Sequence, residues 1–331
     1  MGDVAMTVPV IRALAHQNND LQITVVSRPF FEPFFANINN VNFFAVDLQN
    51  RHKGIFGIFR LFLDLKKLEI DCFADFHNVL RSKIVRKLFW LCGTKTAFTD
   101  KGRAEKKRLT KAKNKVFEPI KSMFERHKET LQKLSLDVDL SEPCFAEKSN
   151  LSEKIVAISG KKENNNWVGI APFAQYQSKI YPVDLMQKVV DQLATNPETK
   201  IFLFGGGNEE IEFLQTFISN HKNIVVVAGQ LPFADELKLI SNLDVMLSMD
   251  SGNAHIAAML GTKVITLWGA THPYAGFAPF NQPPENCLVA DRNLYPKLPT
   301  SVYGNKVVKG YQYAMRTIRV DVVVAAIKAT I

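Results

Sequence analysis

The 331-residue chain has no apolar run approaching the ~18 residues that a membrane-spanning helix needs. Its amino end shows no basic stretch followed by an apolar core, so no secretory signal is read there. The four cysteines, Cys72, Cys92, Cys144 and Cys287, stand far apart and form no C-x-x-C pair. That spacing argues against a disulfide frame or a zinc site and suits reduced thiols in the cytoplasm. The glycine run Gly205-Gly206-Gly207 matches neither a phosphate-binding P-loop nor G-x-G-x-x-G. An apolar share of 47% with 22% charged residues is that of a globular protein. The length suits two ordinary domains, each with its own core.

What the sequence does hold is positive charge, a formal +9, and it is uneven. Thirteen Lys/Arg against five Asp/Glu fall between residues 95 and 133. A solvated pair of basic helices accounts for such a run. So does a surface for polyanions, whether nucleic acid, an anionic membrane face or a phosphorylated lipid. Aromatic residues are not regularly interleaved with these lysines, so nucleic acid is not the expected partner.

In chain order, Gly2-Asp3 reads as a loop and residues 7–16 as a helix with Pro9 in its first turn. No strand precedes them, although the first strand of a doubly wound sheet is ordinarily central. The expectation is that the first strand of this domain is missing. Strands are expected at 21–27, 41–47, 71–76 and 94–98, and helices at 56–68 and 83–91. Residues 117–133 read as one amphipathic helix, and 137–150 as the approach to a linker. From Trp167 the pattern alternates: strands at 167–172, 200–204 and 224–228, helices at 183–196 and 233–240. Such repetition makes a doubly wound parallel sheet. A small-residue helix, 320–331, closes the chain.

The most informative stretch is LDVMLSMDSGNAHIAAMLGTKVITLWGATHP, from Leu243 to Pro273. Two buried-strand runs, 243–248 and 263–268, are joined by a short helix over 254–260 that Gly261 stops. Apolar strands linked by a crossover helix pair in parallel with both faces covered. Ligands of such sheets sit beyond the strand carboxyl ends, where backbone N–H groups and helix N-termini are exposed. Asp250, Ser251, Gly252, Asn253 and His255 fall at one such end, and Gly269 and Thr271 at the next. Lys179, Gly205 and Glu209 occupy two more post-strand loops. The ends at 250–253 and 269–273 suit a negatively charged, phosphate-bearing ligand. Structural readings stand beside this one: Asp250 as a helix cap, His255 packed inside, Lys179 at the surface, Glu209 in a helix first turn.

The segment D-S-G-N-A-H-I-A-A-M-L-G followed by W-G-A-T-H-P resembles the donor-site signature of the heptosyltransferase family, glycosyltransferase family 9. M-G-D-V-A-M-T-V-P-V-I-R-A-L at the amino end resembles the same family's first loop and helix. The resemblance implies a GT-B architecture of two Rossmann-like domains facing a central cleft. Residues 1–155 would bind the acceptor and 156–315 the nucleotide sugar, with 316–331 packing back toward the first domain. It also implies transfer of a heptose from ADP-heptose to a lipopolysaccharide core.

Asp3, in the Gly-Asp-Val element, would be the catalytic base; without the resemblance it reads as a helix cap. His77, Arg81 and Ser82 would line the acceptor side, where a structural histidine and a helix-surface arginine are the plain readings. Lys179 and the loops at 250–255 and 269–271 would hold the diphosphate, and Gly205 and Glu209 the ribose. No cofactor or metal is expected, since these groups can offset the leaving-group charge. Asp137-Val138-Asp139 has the D-x-D form used by metal-dependent transferases but sits in the connecting region. The basic 95–133 segment would meet a phosphorylated glycolipid, with the enzyme in the cytoplasm and peripheral on the inner membrane. A UDP-sugar transferase, an epimerase of similar build and a non-catalytic glycolipid-binding protein are the alternatives.

Overall fold

The computed structural model describes residues 1–218, 221–306 and 308–331. The chain divides into two compact units: one takes Asp3–Arg103 and Lys121–Ala146, the other Ala104–Ile120 and Glu147–Ile331. No helix among the described residues is long and apolar enough to cross a membrane.

The chain opens with α1 (Gly2–Ala5) and α2 (Val8–Gln17). Gly2-Asp3, expected as a loop, therefore lies in a one-turn helix, and Thr7 is the cap residue of α2. Every residue from Val8 to Ala15 is buried, as befits a helix with almost no charge. The first unit continues with β1 (Ile23–Ser27), β2 (Val41–Ala45), α3 (Gly54–Lys66), β3 (Cys72–Asp75), α4 (Leu80–Leu91) and β4 (Lys95–Phe98). The strands form two separate parallel pairs, β1 with β2 and β3 with β4. Leu61, Phe62 and Leu65 of α3 meet Val85 and Phe89 of α4 in a small core.

After α5 (Arg103–Leu109) comes α6 (Met123–Gln132). The single helix expected over 117–133 is thus shorter, for local reasons. Pro119 has no N–H to donate and biases its predecessor toward extended backbone. Ser122 and Glu125 then form a reciprocal capping box that starts α6 at Met123.

The second unit holds α7 (Glu153–Ser159), β5 (Asn166–Ala171), α8 (Val183–Ala194), β6 (Thr199–Leu203), α9 (Asn208–Gln215), β7 (Ile224–Val226) and α10 (Phe233–Ser241). It goes on with β8 (Val245–Met249), α11 (Gly252–Met259), β9 (Lys263–Trp268), β10 (Cys287–Val289) and α12 (Val320–Thr330). All six strands run parallel in the order β10-β9-β8-β5-β6-β7. Every residue of β8 and all of β9 after Lys263 are buried. This explains their continuous apolar sequence. The terminal helix, α12, contributes Val323, Val324 and Ile327 to the core of the second unit.

Part of the basic stretch is built into the second unit. Residues 104–120 pack into the second unit: Leu109 and Lys106 are buried, and the Lys106 ammonium sits 3.9 Å from the Phe277 ring centroid. The Lys115 ammonium donates to the Leu109 and Pro299 carbonyls at 2.8 and 2.6 Å. Burial pushes the Lys115 pKa down to about 8, with Arg292 adding to the effect. Part of the charge that reads as solvated is structural.

Candidate active site

The strand order reverses at β5: β6 and β7 lie to one side of it, and β8, β9 and β10 to the other. Ligands of such sheets bind beyond the carboxyl ends at this reversal, here between β5 and β8. Two candidate residues meet there. Lys179 closes a 3-10 turn after β5, and its ammonium lies 3.0 Å from the Asp250 carboxylate after β8, the side chains 12% and 9% exposed. An ammonium has three donors; Asp250 occupies one and fixes the side chain, leaving two for an anion.

Gly304 lets the lysine pass. A Cβ there would overlap Lys179 Cδ and Cγ, and its φ of +85° is glycine territory. Its carbonyl accepts from Ser178 Oγ at 2.6 Å, tying the two loops together.

Ser251, not Asp250, is the cap residue of α11. Its hydroxyl shares a hydrogen bond with Ser248 Oγ at 3.1 Å and makes no cap bond. The first N–H groups of α11, at Gly252 and Asn253, therefore keep their capacity for an anion. His255 is buried at the end of that first turn. Gly269 is required by packing: a Cβ there would come within 2.6 Å of the Ser178 carbonyl and crowd Met315. Thr271 is buried, and its hydroxyl has no hydrogen-bond partner among the described residues. A buried hydroxyl without a partner costs about 1–3 kcal/mol, so a ligand oxygen at this loop would relieve it.

His272, next along, accepts from Tyr274 N–H through Nδ1 at 3.2 Å. Burial, with Arg292 and Lys115 nearby, lowers its pKa to about 4, so it stays neutral. Phe117 packs on both rings, at 4.9 Å from each. The 104–120 stretch thereby braces the loop that carries Thr271.

Beyond β6, the Gly206 N–H donates to Glu210 Oε2 at 2.8 Å, and a Cβ at Gly205 would crowd the same carboxylate. Glu209 stays exposed in the first turn of α9. The two adjacent glutamates therefore divide: Glu210 holds the loop and Glu209 faces outward.

In the first unit, Asp3 is exposed and does not cap α2. Its charge acts on both His77 and Lys101. Desolvation lowers the His77 pKa and Lys101 adds to this, while Asp3 and Asp75 oppose it. The Lys101 pKa is likewise lowered by desolvation and opposed first by Asp3. Asp75 is buried, accepting from the Asn78 N–H at 2.6 Å and pairing with Arg86 at 3.4 Å. Arg81, on α4, keeps a buried Nε without a partner among the described residues. Ser82 is committed to the helix end, exchanging hydrogen bonds with the Val79 N–H and carbonyl, both at 3.0 Å.

Three supporting residues were missed in the sequence: Lys101, Glu210 and Gly304. Each carried a faint signal, namely Lys101 in the Asp100–Gly102 turn after β4, Glu210 beside Glu209, and Gly304 in a run of turn formers. Among the described residues, no three His, Cys, Asp or Glu side chains stand together as metal ligands would.

Residues 58–306 match the family model of glycosyltransferase family 9 (heptosyltransferase). The chain belongs to that family and is a glycosyltransferase of α/β, GT-B build. It is 24% identical over 302 residues to lipopolysaccharide heptosyltransferase 1 of Campylobacter coli, covering 83% of this chain and 82% of that one. Among solved structures it resembles a family 9 glycosyl transferase from Veillonella parvula, with a TM-score of 0.75 at 16% identity. That match covers 100% of this chain and 94% of the other. It also resembles the E. coli heptosyltransferase WaaC with ADP, at a TM-score of 0.70 and 15% identity, covering 100% and 97%.

Proposed function

We propose that the chain moves a heptose from ADP-heptose to the core of a lipopolysaccharide, in one inverting displacement without a metal ion. The observation that carries this reading is the Lys179–Asp250 pair at the strand-order reversal, beside the open N-terminus of α11. Breaking a bond to a sugar diphosphate puts growing negative charge on the leaving group. Lys179 and the Gly252 and Asn253 N–H groups supply fixed positive ends for it, with the Thr271 hydroxyl as a further donor. Glu209 has the reach and chemistry to accept from ribose hydroxyls. The attacking alcohol must lose a proton, and Asp3 is the base, with His77 and Arg81 orienting the acceptor. The relative from C. coli is named for transfer to lipopolysaccharide and the E. coli structure holds ADP, which favours this donor and acceptor class. The acceptor is a phosphorylated glycolipid, met at the inner membrane face.

The deciding measurement is release of nucleoside diphosphate from purified donors with and without core lipid acceptor. ADP release from ADP-heptose that depends on acceptor is expected. Equal turnover of a UDP-sugar, or conversion of donor without acceptor, would instead favour another nucleotide-sugar transferase or an epimerase.

A further inference from the structure

The first unit carries an apolar surface that its own core does not use. Helix α3 is apolar on two sides. Leu61, Phe62 and Leu65 face inward and are buried, whereas Ile55, Phe56, Phe59 and Leu63 are 69%, 81%, 51% and 43% exposed. Phe56, Phe59 and Leu63 follow helical spacing and so form one outward stripe. Phe59 rests on Phe62 at 6.0 Å and is otherwise open. Helix α4 packs beside α3 through Val85 and Phe89. At its two ends it shows Leu80, Trp90 and Leu91 at 76%, 64% and 71% exposure. Lone exposed apolar residues are ordinary; a contiguous set of large ones marks an interaction surface.

The charge around this stripe is one-sided. Residues 51–92 hold nine Lys/Arg against four Asp/Glu, and α4 itself has four basic residues and no acid. Two of the four acids are withdrawn: Asp64 is paired with Arg51 and His52, and Asp75 is buried against Arg86. Lys67 also pairs with Asp64, and Glu69 and Asp71 remain exposed against Lys53, Arg60, Lys66 and Lys87. Phe, Trp and Leu ringed by Lys and Arg is the composition that beds into the headgroup region of an anionic membrane. A second copy of this chain fits poorly, since a two-fold interface would set one positive patch against another.

We propose that the α3–α4 face docks on an anionic phospholipid bilayer, with Phe56, Phe59 and Trp90 entering the interface and Arg60, Lys83 and Lys87 meeting lipid phosphates. This adds a surface to the transferase reading, and its test uses neither donor nor acceptor, so the two can fail separately.

The chain's three tryptophans make the test direct. Trp167 and Trp268 are fully buried, so Trp90 is the one at the surface. The full chain is mixed with vesicles of neutral phosphatidylcholine, or of phosphatidylcholine with about 30% phosphatidylglycerol, each with brominated acyl chains. The expected result is tryptophan quenching and co-sedimentation with the anionic vesicles, weakened by salt and about tenfold weaker on neutral ones. Phe56→Ser with Phe59→Ser should lower vesicle affinity about tenfold, and Lys83→Gln with Lys87→Gln should remove much of the salt dependence. Absence of quenching with the unaltered chain overturns the proposal, whether or not the variants fold. A dimer in sedimentation that the Phe56/Phe59 variant dissolves, with no vesicle binding, would hand the surface to a second copy and overturn it equally.

Discussion

The two units prepare their polar groups differently. In the second, the candidate groups are paired with one another or with their neighbours: Lys179 with Asp250, Ser251 with Ser248, Gly206 with Glu210. In the first, Asp3 and His77 sit exposed and Arg81 keeps an unpartnered nitrogen. The packing beneath follows the same division. Of the twelve largest fully buried side chains, only Leu65 belongs to the first unit. The Lys179–Asp250 pair lies beyond a continuous six-stranded sheet, whereas the strands of the first unit form two separate pairs. A clamp for a charged leaving group benefits from being preset. A base, by contrast, must stay open to an incoming alcohol.

Substitutions can break this comparison in order of expected effect. Asp3→Ala should lower turnover about 10²–10⁴-fold while leaving ADP affinity within about twofold, as read by steady-state kinetics and calorimetry. Retained turnover would deny the first unit its catalytic part. Lys179→Ala should weaken ADP binding by roughly 10–100-fold, the loss of a charge-assisted hydrogen bond of about 1.5–3 kcal/mol. Unchanged affinity would show that the preset pair is not the clamp. Gly304→Ala should act on the same affinity more mildly, by about tenfold, since a strained backbone and a displaced Lys179 cost on the order of 1 kcal/mol. If it proves as damaging as Lys179→Ala, the loop itself contributes to binding.

The smallest effect concerns pH. Burial of Glu236 in the first turn of α10 raises its pKa to about 7, above the ordinary 4.5. Between those values the folded chain binds more protons than the unfolded one, so stability falls as pH rises through the window. Glu236→Gln should stabilise the second unit by roughly 1–3 kcal/mol at pH 8 and by little at pH 4.5. Urea denaturation at the two pH values measures this, and a benefit of equal size at both would refute it. His272 works in the opposite sense: its neutral, buried ring loses stability as pH falls from about 6.5 toward 4.

The sequence exposed most of the second unit and less of the first for physical reasons. Strands β8 and β9 are buried on both faces, so their residues form unbroken apolar runs, and β9 begins and ends where expected. Strand β10 has three half-exposed or exposed residues at the sheet edge, too short for any period to show. Candidate loops were legible because they follow strands; their pairings were not. Lys179 and Asp250 meet only because β5 and β8 are neighbours, and no local pattern states that adjacency. In the basic stretch, a charge count cannot show which ammonium groups bury their stems and bond carbonyls. Lys115 bonds the Leu109 and Pro299 carbonyls, and Lys106 lies over the Phe277 ring.

The chain's route between the units has a practical meaning for anyone dividing the protein. It passes over at 103/104, returns at 120/121 and passes again at 146/147. No single cut therefore frees an intact second unit. A fragment beginning at Glu147 would forfeit Leu109 from its interior and strip Phe117 from His272 and Tyr274, unmooring the very loop that presents Thr271. The packing would have to be restored by adding 104–120 back as a separate peptide or by splicing it to the new amino end.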